Sequence, residues 1–303
     1  MSVKKIEKQH IIWTDIEKPN KEDVAYLRKN FQILELDLKD ILVHTEMAKV
    51  DLREDYIFII LRFPVYNRKE RTIIPSEIDI FIKENYFITV HRNQLKTINE
   101  IFDLFKNGKL DAEKPHELLY TLLKKIFRYT HPMLDHIAEN VDSLEKHIFK
   151  KRHKKMVEEI SIIRRNIIDF YRMVKPQHLA LMELRDKEIS SIPKRFQNTY
   201  FDDLTEESTR LIEELKNHRD TVEVLHDTNK SLMNNTTQKI ILTLTMFSAI
   251  FLPMTLITSI YSMNLQYFPF QMHMNPLSFW FIILGMAIVA TILFIIFKAK
   301  KWL

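Results

Sequence analysis

The sequence predicts an α+β domain followed by an antiparallel helical arm, a long helix and a hairpin of two membrane-spanning helices. Three observations lead to this prediction. Short runs rich in β-branched and aromatic residues are confined to the first third of the chain, as expected for strands. Apolar residues recur with helical spacing from Pro115 onward. Finally, the stretch from Ile240 to Phe297 contains no Asp, Glu, Lys or Arg, although 28% of the sequence is charged.

Residues 1–110 are predicted to form the α/β domain. Four runs have the composition of strands, namely 10–14, 56–63, 77–82 and 86–91. The last two are separated by only three residues, which favours a β-hairpin. Two segments between the first and second runs have helical patterning, 21–30 and 35–42. This first domain therefore mixes strands with short helices.

Residues 111–200 are predicted to form the antiparallel arm. Pro115 suits the first turn of a helix, where its missing N–H is not needed, and apolar residues then recur at three- and four-residue steps as far as Ile148. The polar run 150–155 predicts the turn, and the returning helix is expected over 156–173. After Lys175 and Pro176 a further segment is expected to run to Ser191, and Pro193 marks its break.

Residues 201–261 are predicted to form one helix, which we call the stalk helix. Apolar residues keep a helical repeat from Leu204 to Leu232, and no Gly or Pro interrupts the chain before Pro253. About 60 helical residues at ~1.5 Å each would reach roughly 90 Å. Such a helix would couple the soluble domain to the membrane.

The uncharged stretch divides into two predicted spans, 240–261 and 277–297, joined by a connector over 262–276. Each span is close to the roughly 20 residues that a helix needs to cross a ~30 Å hydrocarbon core. The connector carries no Lys or Arg, whereas lysines follow the second span in the basic tail 298–303. The positive-inside rule therefore places both termini in the cytoplasm, with the spans in the plasma membrane.

Composition excludes several classes of function. The chain has no Cys and only two Gly, which excludes a disulfide framework, thiolate metal sites and phosphate-binding glycine loops. A formal net charge of +5 fits an anionic membrane surface better than nucleic acid. No nucleophile and base pair stands out, so an enzyme is not expected. His131 and Asp135 lie one helical turn apart, but their surroundings favour a solvated face over a metal site.

The first span carries hydroxyl groups on one face. On a helical wheel of about 100° per residue, these hydroxyls fall on the same face as Ile241 and Leu252; they belong to Thr245, Ser248, Thr255 and Ser259. Such a stripe has two interpretations, close helix packing or the wall of a water-filled pore. Two helices cannot enclose a lumen, so a pore requires several copies with their first spans innermost.

Residues 251–264, Phe-Leu-Pro-Met-Thr-Leu-Ile-Thr-Ser-Ile-Tyr-Ser-Met-Asn, resemble the CorA family of magnesium and cobalt transporters. The second span near the end of the chain and the final Lys-Lys-Trp-Leu add to the resemblance, which covers the whole chain in order. It implies a homopentameric funnel in the bacterial inner membrane, embedded in lipid. The family's Gly-Met-Asn motif at the outer mouth corresponds here to Ser262, Met263 and Asn264.

The resemblance also implies roles for residues of the first span. Asn264 would present its amide oxygen to the ion at the mouth, while Thr255 and Gln238 would lie on the pore wall. Apolar constrictions that gate by dewetting would come from Ile241, Leu244 and Leu252. A basic ring near the pore exit is expected from Lys298, Lys300 and Lys301.

The resemblance also implies a regulatory metal site formed by acidic residues of the cytosolic part. Asp40, within 38–42, and Asp203, within 200–204, resemble the two halves of the family's intersubunit metal site, with Asp202 as a near neighbour. Carboxylates that face each other repel, and a divalent cation converts this repulsion into a bridge. Mg²⁺ is thus expected both as the transported ion and as the regulatory ion that closes the funnel. The alternative is that these acids are solvated ends of helices.

Two features keep other functions open. Ser262 replaces the family's Gly, and the connector contains no acidic residue. The resemblance itself includes Co²⁺ as a possible second cargo. These two features are compatible with a transporter of Zn²⁺ or another transition metal with the same fold. A further alternative is a membrane-anchored metal sensor or partner subunit that does not conduct ions.

Overall fold

The computed structural model describes residues 3–43, 47–92, 95–149, 153–263 and 276–300. The chain divides into two compact units, Met1–Asp227 and Thr228–Leu303. Eight elements make up the α/β part: β1 Val3–Lys8, β2 Ile11–Glu17, α1 Lys21–Phe31, α2 Glu35–Leu42, β3 Lys49–Leu52, β4 Ile57–Asn67, β5 Thr72–Lys83 and β6 Tyr86–His91. The helices that follow are α3 Lys96–Lys106, α4 Pro115–His147, α5 His153–Asp186, α6 Lys194–Phe196, α7 Asp202–Ser262 and α8 Pro276–Ala299.

Within the described residues of the first unit, six strands form one sheet in the order β1-β2-β6-β5-β4-β3. The β2–β6 pair is parallel and the other neighbours are antiparallel. A two-residue turn joins β5 to β6, and Glu84 in this turn has φ +49°. The predicted hairpin is therefore confirmed, as are the four predicted strands and the helices α1 and α2.

The two strands that the sequence did not predict, β1 and β3, lie at the two edges of the sheet. Edge strands are often short and carry charged side chains, and these two read Val-Lys-Lys-Ile-Glu-Lys and Lys-Val-Asp-Leu. Neither contains a run of β-branched or aromatic residues. Strand pairing, rather than local composition, makes these segments extended.

Helices cover both faces of the sheet. On one face α1 and α2 bury Leu27 and Ile41 against Phe58 and Phe81, whose rings stack with their centroids 4.3 Å apart. On the other face Trp13 is fully buried, with its ring centroid 5.1 Å from that of Phe102 in α3. Helices α4 and α5 also contact strands of the sheet.

The predicted end of the returning helix near Met173 is wrong, because α5 runs without interruption over His153–Asp186, with Pro176 inside it. Proline removes one backbone hydrogen bond from a helix interior and strains the preceding turn. Here Val174 and Leu181, which are each 1% exposed, lie on either side of Pro176. Burial of both halves of the helix in one core outweighs the local cost of proline. Helix α7 is likewise continuous through Pro253, as predicted.

In its described part, the second unit consists of the C-terminal part of α7 and the whole of α8. Both α7 and α8 are long and apolar enough to cross a membrane, and the most apolar 18-residue stretch of each contains no buried residue. In a soluble protein such surfaces would be buried in a core. Their length and their exposed apolar side chains fit the predicted hairpin of spans.

Candidate functional site

The predicted pore residues lie on the exposed surface of α7. Nine of them are exposed residues of the helix, namely Gln238, Ile241, Leu244, Thr245, Ser248, Leu252, Thr255, Ser259 and Ser262. Met263, just beyond the helix, is exposed as well. Half-buried residues of the same segment fall on a different face, namely Leu242, Met246, Ala249, Ile250, Pro253, Met254 and Ile257. The hydroxyl stripe and the half-buried stripe are therefore separate surfaces. Asn264 lies outside the described residues.

The threonine hydroxyls on this face are bonded to their own helix. Thr245 Oγ1 donates a 2.8 Å hydrogen bond to the carbonyl of Ile241, and Thr255 Oγ1 donates a 2.9 Å bond to the carbonyl of Phe251. A hydroxyl has one proton and two acceptor lone pairs. Because the proton is used within the helix, each oxygen can only accept a hydrogen bond from a group beside the helix.

The structure describes two of the three lysines of the predicted basic ring. Lys298 and Lys300 are exposed at the end of α8 and just beyond it. Lys301 lies outside the described residues.

Asp40 lies in α2, where its carboxylate is bound by a lysine of the same chain. Lys49 Nζ lies 2.8 Å from Asp40 Oδ2 and 2.8 Å from Asp51 Oδ2. The ammonium also lies 5.4 Å from the centroid of the Phe58 ring, within the range of a cation–π contact. Burial lowers the pKa of Lys49, but hydrogen bonds to Asp40 and Asp51 outweigh it and raise the pKa above its usual value. Lys49 therefore stays protonated beside Asp40.

A buried ion pair anchors the helix that carries Asp40. Asp37 has no exposed side-chain surface, and Arg53 binds both of its oxygens at 2.7 and 3.0 Å. Tyr56 Oη donates a 2.6 Å hydrogen bond to the same carboxylate, and it accepts one from the Leu34 N–H at the start of α2. Burial, followed by the bond to Asp37, raises the pKa of Tyr56 to about 12. These contacts fix α2 to the sheet.

A second carboxyl group lies near Asp40. Asp79 on β5 is 3% exposed, and its Oδ1 has no hydrogen-bond partner in the described part of the chain. Burial, followed by the charges of Glu77 and Asp40, raises the pKa of Asp79 well above its usual value. Loss of solvation favours the neutral form of a buried carboxyl group. Asp79 is thus suited to hold a proton.

Asp203, at the start of α7, lies in a polar cluster with α4. Lys124 Nζ contacts both oxygens of Asp203 at 2.8 and 3.0 Å and Glu207 Oε2 at 2.7 Å. Tyr120 Oη donates a 2.9 Å hydrogen bond to Asp203, and His131 Nε2 lies 2.8 Å from Glu207 Oε1. Burial raises the pKa of Asp203, but the bonds from Lys124 and Tyr120 outweigh it and lower the pKa below its usual value. The carboxylate is therefore charged, and donors of the same chain form hydrogen bonds with its oxygens.

Asp202 is paired separately, since Arg185 Nη1 lies 3.1 Å from its Oδ1. Sequence reasoning missed Lys124 and Glu207 as members of the Asp203 cluster. The available signal was a four-residue step on each helix, Tyr120 to Lys124 and Asp203 to Glu207, which places both residues of a pair on one face. His131, which lies one helical turn from Asp135 in the sequence, contacts Glu207.

The predicted regulatory acids therefore occupy separate ion-pair clusters, one around Lys49 and one around Lys124. Among the residues that the structure describes, no group of three or more His, Asp or Glu side chains is placed to hold a metal ion. A single chain thus does not provide a complete metal site of this kind in its described part. The expected site draws one carboxylate from each of two subunits, so each copy would supply only a part of it.

Known proteins resemble this chain over almost its full length. It is 27% identical over 300 residues to the cobalt/magnesium transport protein CorA of Methanocaldococcus jannaschii, covering 98% of this chain and 93% of the relative. It is 24% identical over 298 residues to the cobalt/magnesium transport protein CorA of Thermotoga maritima, covering 96% and 83%.

Solved structures share the fold. The complete structure of the CorA magnesium transporter from Methanocaldococcus jannaschii superposes with a TM-score of 0.83 at 26% identity, covering 98% of this chain and 93% of that chain. The structure of full-length CmaX superposes with a TM-score of 0.77 at 20% identity, covering 96% and 89%; this likeness concerns the fold alone. The family model described as CorA-like Mg²⁺ transporter protein matches residues 8–300. The chain belongs to this family.

Proposed function

We propose that the chain forms a homopentameric channel or transporter for divalent cations in the plasma membrane, with both termini in the cytoplasm. Its family is one of transporters, and the chain is not an enzyme. Mg²⁺ is the proposed principal cargo, because relatives along the whole chain are named cobalt/magnesium transport proteins. The main support from the structure is the exposed hydroxyl face of α7, which is distinct from the half-buried face of the same helix.

The hydroxyl face has the chemistry that a hydrated magnesium ion needs. Mg²⁺ gives up its water reluctantly and is often bound through its hydration shell. That shell directs only hydrogen atoms outward, so it must be met by acceptors. Thr245 and Thr255 have already donated their protons to the helix. Their oxygens therefore offer lone pairs, and the ion can pass without losing its inner water.

The same face alternates these acceptors with large apolar groups. Leu244 and Leu252 are 66% and 70% exposed, and Ile241 is 57% exposed. In a ring of five copies these side chains would form narrow apolar zones that exclude water when the pore contracts. Ser262, Met263 and Asn264 would form the outer mouth, while Lys298, Lys300 and Lys301 would form a basic ring near the pore exit. The pore would thus be gated by the wetting of its apolar zones.

Regulation by the cargo itself is proposed for the cytosolic acids. Asp40 of one subunit would face Asp203, with Asp202 beside it, on the next subunit, and a divalent cation would bridge them and favour the closed state. When the cytosolic concentration of the ion falls, the bridge would be lost and the carboxylates would repel each other. Flux would then rise only when the cell is depleted of the ion.

Uptake into liposomes that contain the purified full-length protein tests the proposal. We expect Mg²⁺ and Co²⁺ to enter, and the substitution Asn264→Ala to abolish entry, because each copy would lose the amide oxygen at the mouth. Entry of Zn²⁺ without Mg²⁺ would instead support the transition-metal alternative suggested by Ser262 and the uncharged connector. Absence of flux for all three ions would contradict transport and leave the role of a non-conducting sensor.

A further inference from the structure

Both carboxylates of the proposed regulatory site already hold an ammonium group of their own chain. Lys49 bridges Asp40 and Asp51, with 2.8 Å to each carboxylate. Lys124 bridges Asp203 and Glu207 at 2.8 and 2.7 Å. The two arrangements are alike, since in each case one lysine neutralises a predicted metal ligand and a second carboxylate.

The Lys124 contact occupies the atoms that a metal ion would use. Its ammonium lies within hydrogen-bond distance of both Oδ1 and Oδ2 of Asp203. A divalent cation that binds this carboxylate needs the same lone pairs. Ammonium and metal therefore exclude each other at these oxygens, and they also repel each other as like charges.

The lysine can nevertheless leave. The side chain of Lys124 is 40% exposed and that of Asp203 is 43% exposed, so solvent reaches both partners of the pair. A flexible four-carbon stem allows the ammonium group to move into water. Lys49 is 33% exposed and its partner Asp40 is 28% exposed, which gives the same possibility at the other half of the site.

We infer that Lys49 and Lys124 are tethered competitors of the regulatory cation, which must displace them in order to bridge two subunits. This inference rests on the proposed function, because it concerns how the proposed regulatory site is set. The competition shifts closure to higher cytosolic concentrations of the divalent ion than the carboxylates alone would require. The two lysines thus determine the concentration range in which the transporter shuts.

Replacing Lys124 by methionine tests this directly. The substitution keeps a long side chain but removes the ammonium group that Asp203 and Glu207 share, and two neighbouring carboxylates attract a dication. Removal of one positive charge at contact distance near a protein surface should tighten binding by at least about tenfold. Lys125→Met is the matched control, because Lys125 is the next residue, is similarly exposed and contacts Glu100 at 3.2 Å instead.

Binding is measured on the intact oligomer in detergent by titration with Mn²⁺, with the free ion followed by electron paramagnetic resonance. We expect tighter binding in Lys124→Met, and unchanged binding in Lys125→Met and in Lys124→Arg, which keeps the positive charge. Adding Asp203→Asn to Lys124→Met should remove the gain. Unchanged binding in Lys124→Met, or a gain that persists without Asp203, would overturn the inference.

A second variant and a flux measurement complete the experiment. If Lys124→Met does not give a monodisperse oligomer, Lys49→Met decides, with tighter binding as support and unchanged binding as contradiction. Flux into liposomes is recorded for the same variants. If Lys124→Met binds Mn²⁺ more tightly but no variant shows flux, transport is contradicted and competition between the lysine and the cation is supported. If flux is normal but Mn²⁺ binding is unchanged, only the competition is contradicted.

Discussion

Tyr56 and Asp37 are joined by a 2.6 Å hydrogen bond beneath α2, and the Asp37 side chain has no exposed surface. Arg53 supplies the balancing charge through two bonds to the same carboxylate. A buried carboxylate that loses its cation is strongly destabilising. The stability of α2, the helix that carries Asp40, therefore depends on the buried ion pair of Asp37 and Arg53. Neither of these residues has a direct role in the proposed transport.

For this reason Arg53→Met should lower the free energy of unfolding by about 3 kcal/mol. Glu35→Ala is the control, because its ion pair with Arg28 is more than half exposed on both sides and such pairs contribute about 0–1 kcal/mol. Urea unfolding followed by tryptophan fluorescence is suitable, since Trp13 is fully buried in the sheet. Equal losses in the two variants would contradict a structural role for the buried pair.

Asp79 predicts a dependence of stability on pH. Its pKa in the folded chain lies well above 3.8, so the folded state keeps a proton that the unfolded chain releases. Stability is therefore complete below the unfolded pKa and falls as pH rises through the window up to the folded pKa. Asp79→Asn keeps the shape without the ionisation, so it should raise the melting temperature at neutral pH.

The gain from Asp79→Asn should shrink as the pH is lowered towards 3.8. Melting temperatures recorded by circular dichroism across this range provide the check. Asp55→Asn serves as control, because the Asp55 side chain is 73% exposed and should show little change at any pH. A loss of stability in Asp79→Asn at neutral pH would show that the carboxylate is charged and needed.

The proposed role of the hydroxyl face of α7 as an acceptor for the hydrated ion is tested by Thr255→Val. Valine has the same shape but lacks the oxygen, so each copy loses one acceptor for the hydration shell of the ion. A lost hydrogen bond of about 1 kcal/mol corresponds to a roughly fivefold fall in Mg²⁺ uptake. Thr258→Val is the control, because Thr258 also bonds to its own helix but lies about 100° from Ile241 on the helical wheel. Similar losses in both variants would indicate a packing role for the hydroxyls.

Leu252 tests gating by dewetting. A serine at this position would make the apolar zone easier to wet, so Leu252→Ser should raise uptake at concentrations of internal Mg²⁺ that close the unaltered protein. Phe247→Ser is the comparison, since Phe247 is 58% exposed but lies on another face of α7. Unchanged inhibition in Leu252→Ser would remove Leu252 from the gate.

Local patterns were sufficient to predict much of the fold. The hairpin of β5 and β6, the helices α1 and α2, and the long helix α7 all follow from features within a few residues, such as alternation, helical spacing and the absence of Gly and Pro. The two spans follow from a charge-free stretch of sufficient length. These features act through backbone preference and hydrophobicity, which can be read one segment at a time.

The remaining features depend on contacts between distant segments. Strands β1 and β3 are extended because they pair with neighbours, and α5 passes Pro176 because both of its halves are buried. Above all, the partners of the predicted acids arise from packing. Asp203 meets Lys124 across 79 positions of sequence, because side chains of α4 reach the start of α7. The sequence alone thus predicted the membrane hairpin and named the acids of the proposed regulatory site, whereas tertiary structure decided that Asp40 and Asp203 are each held by a lysine of their own chain.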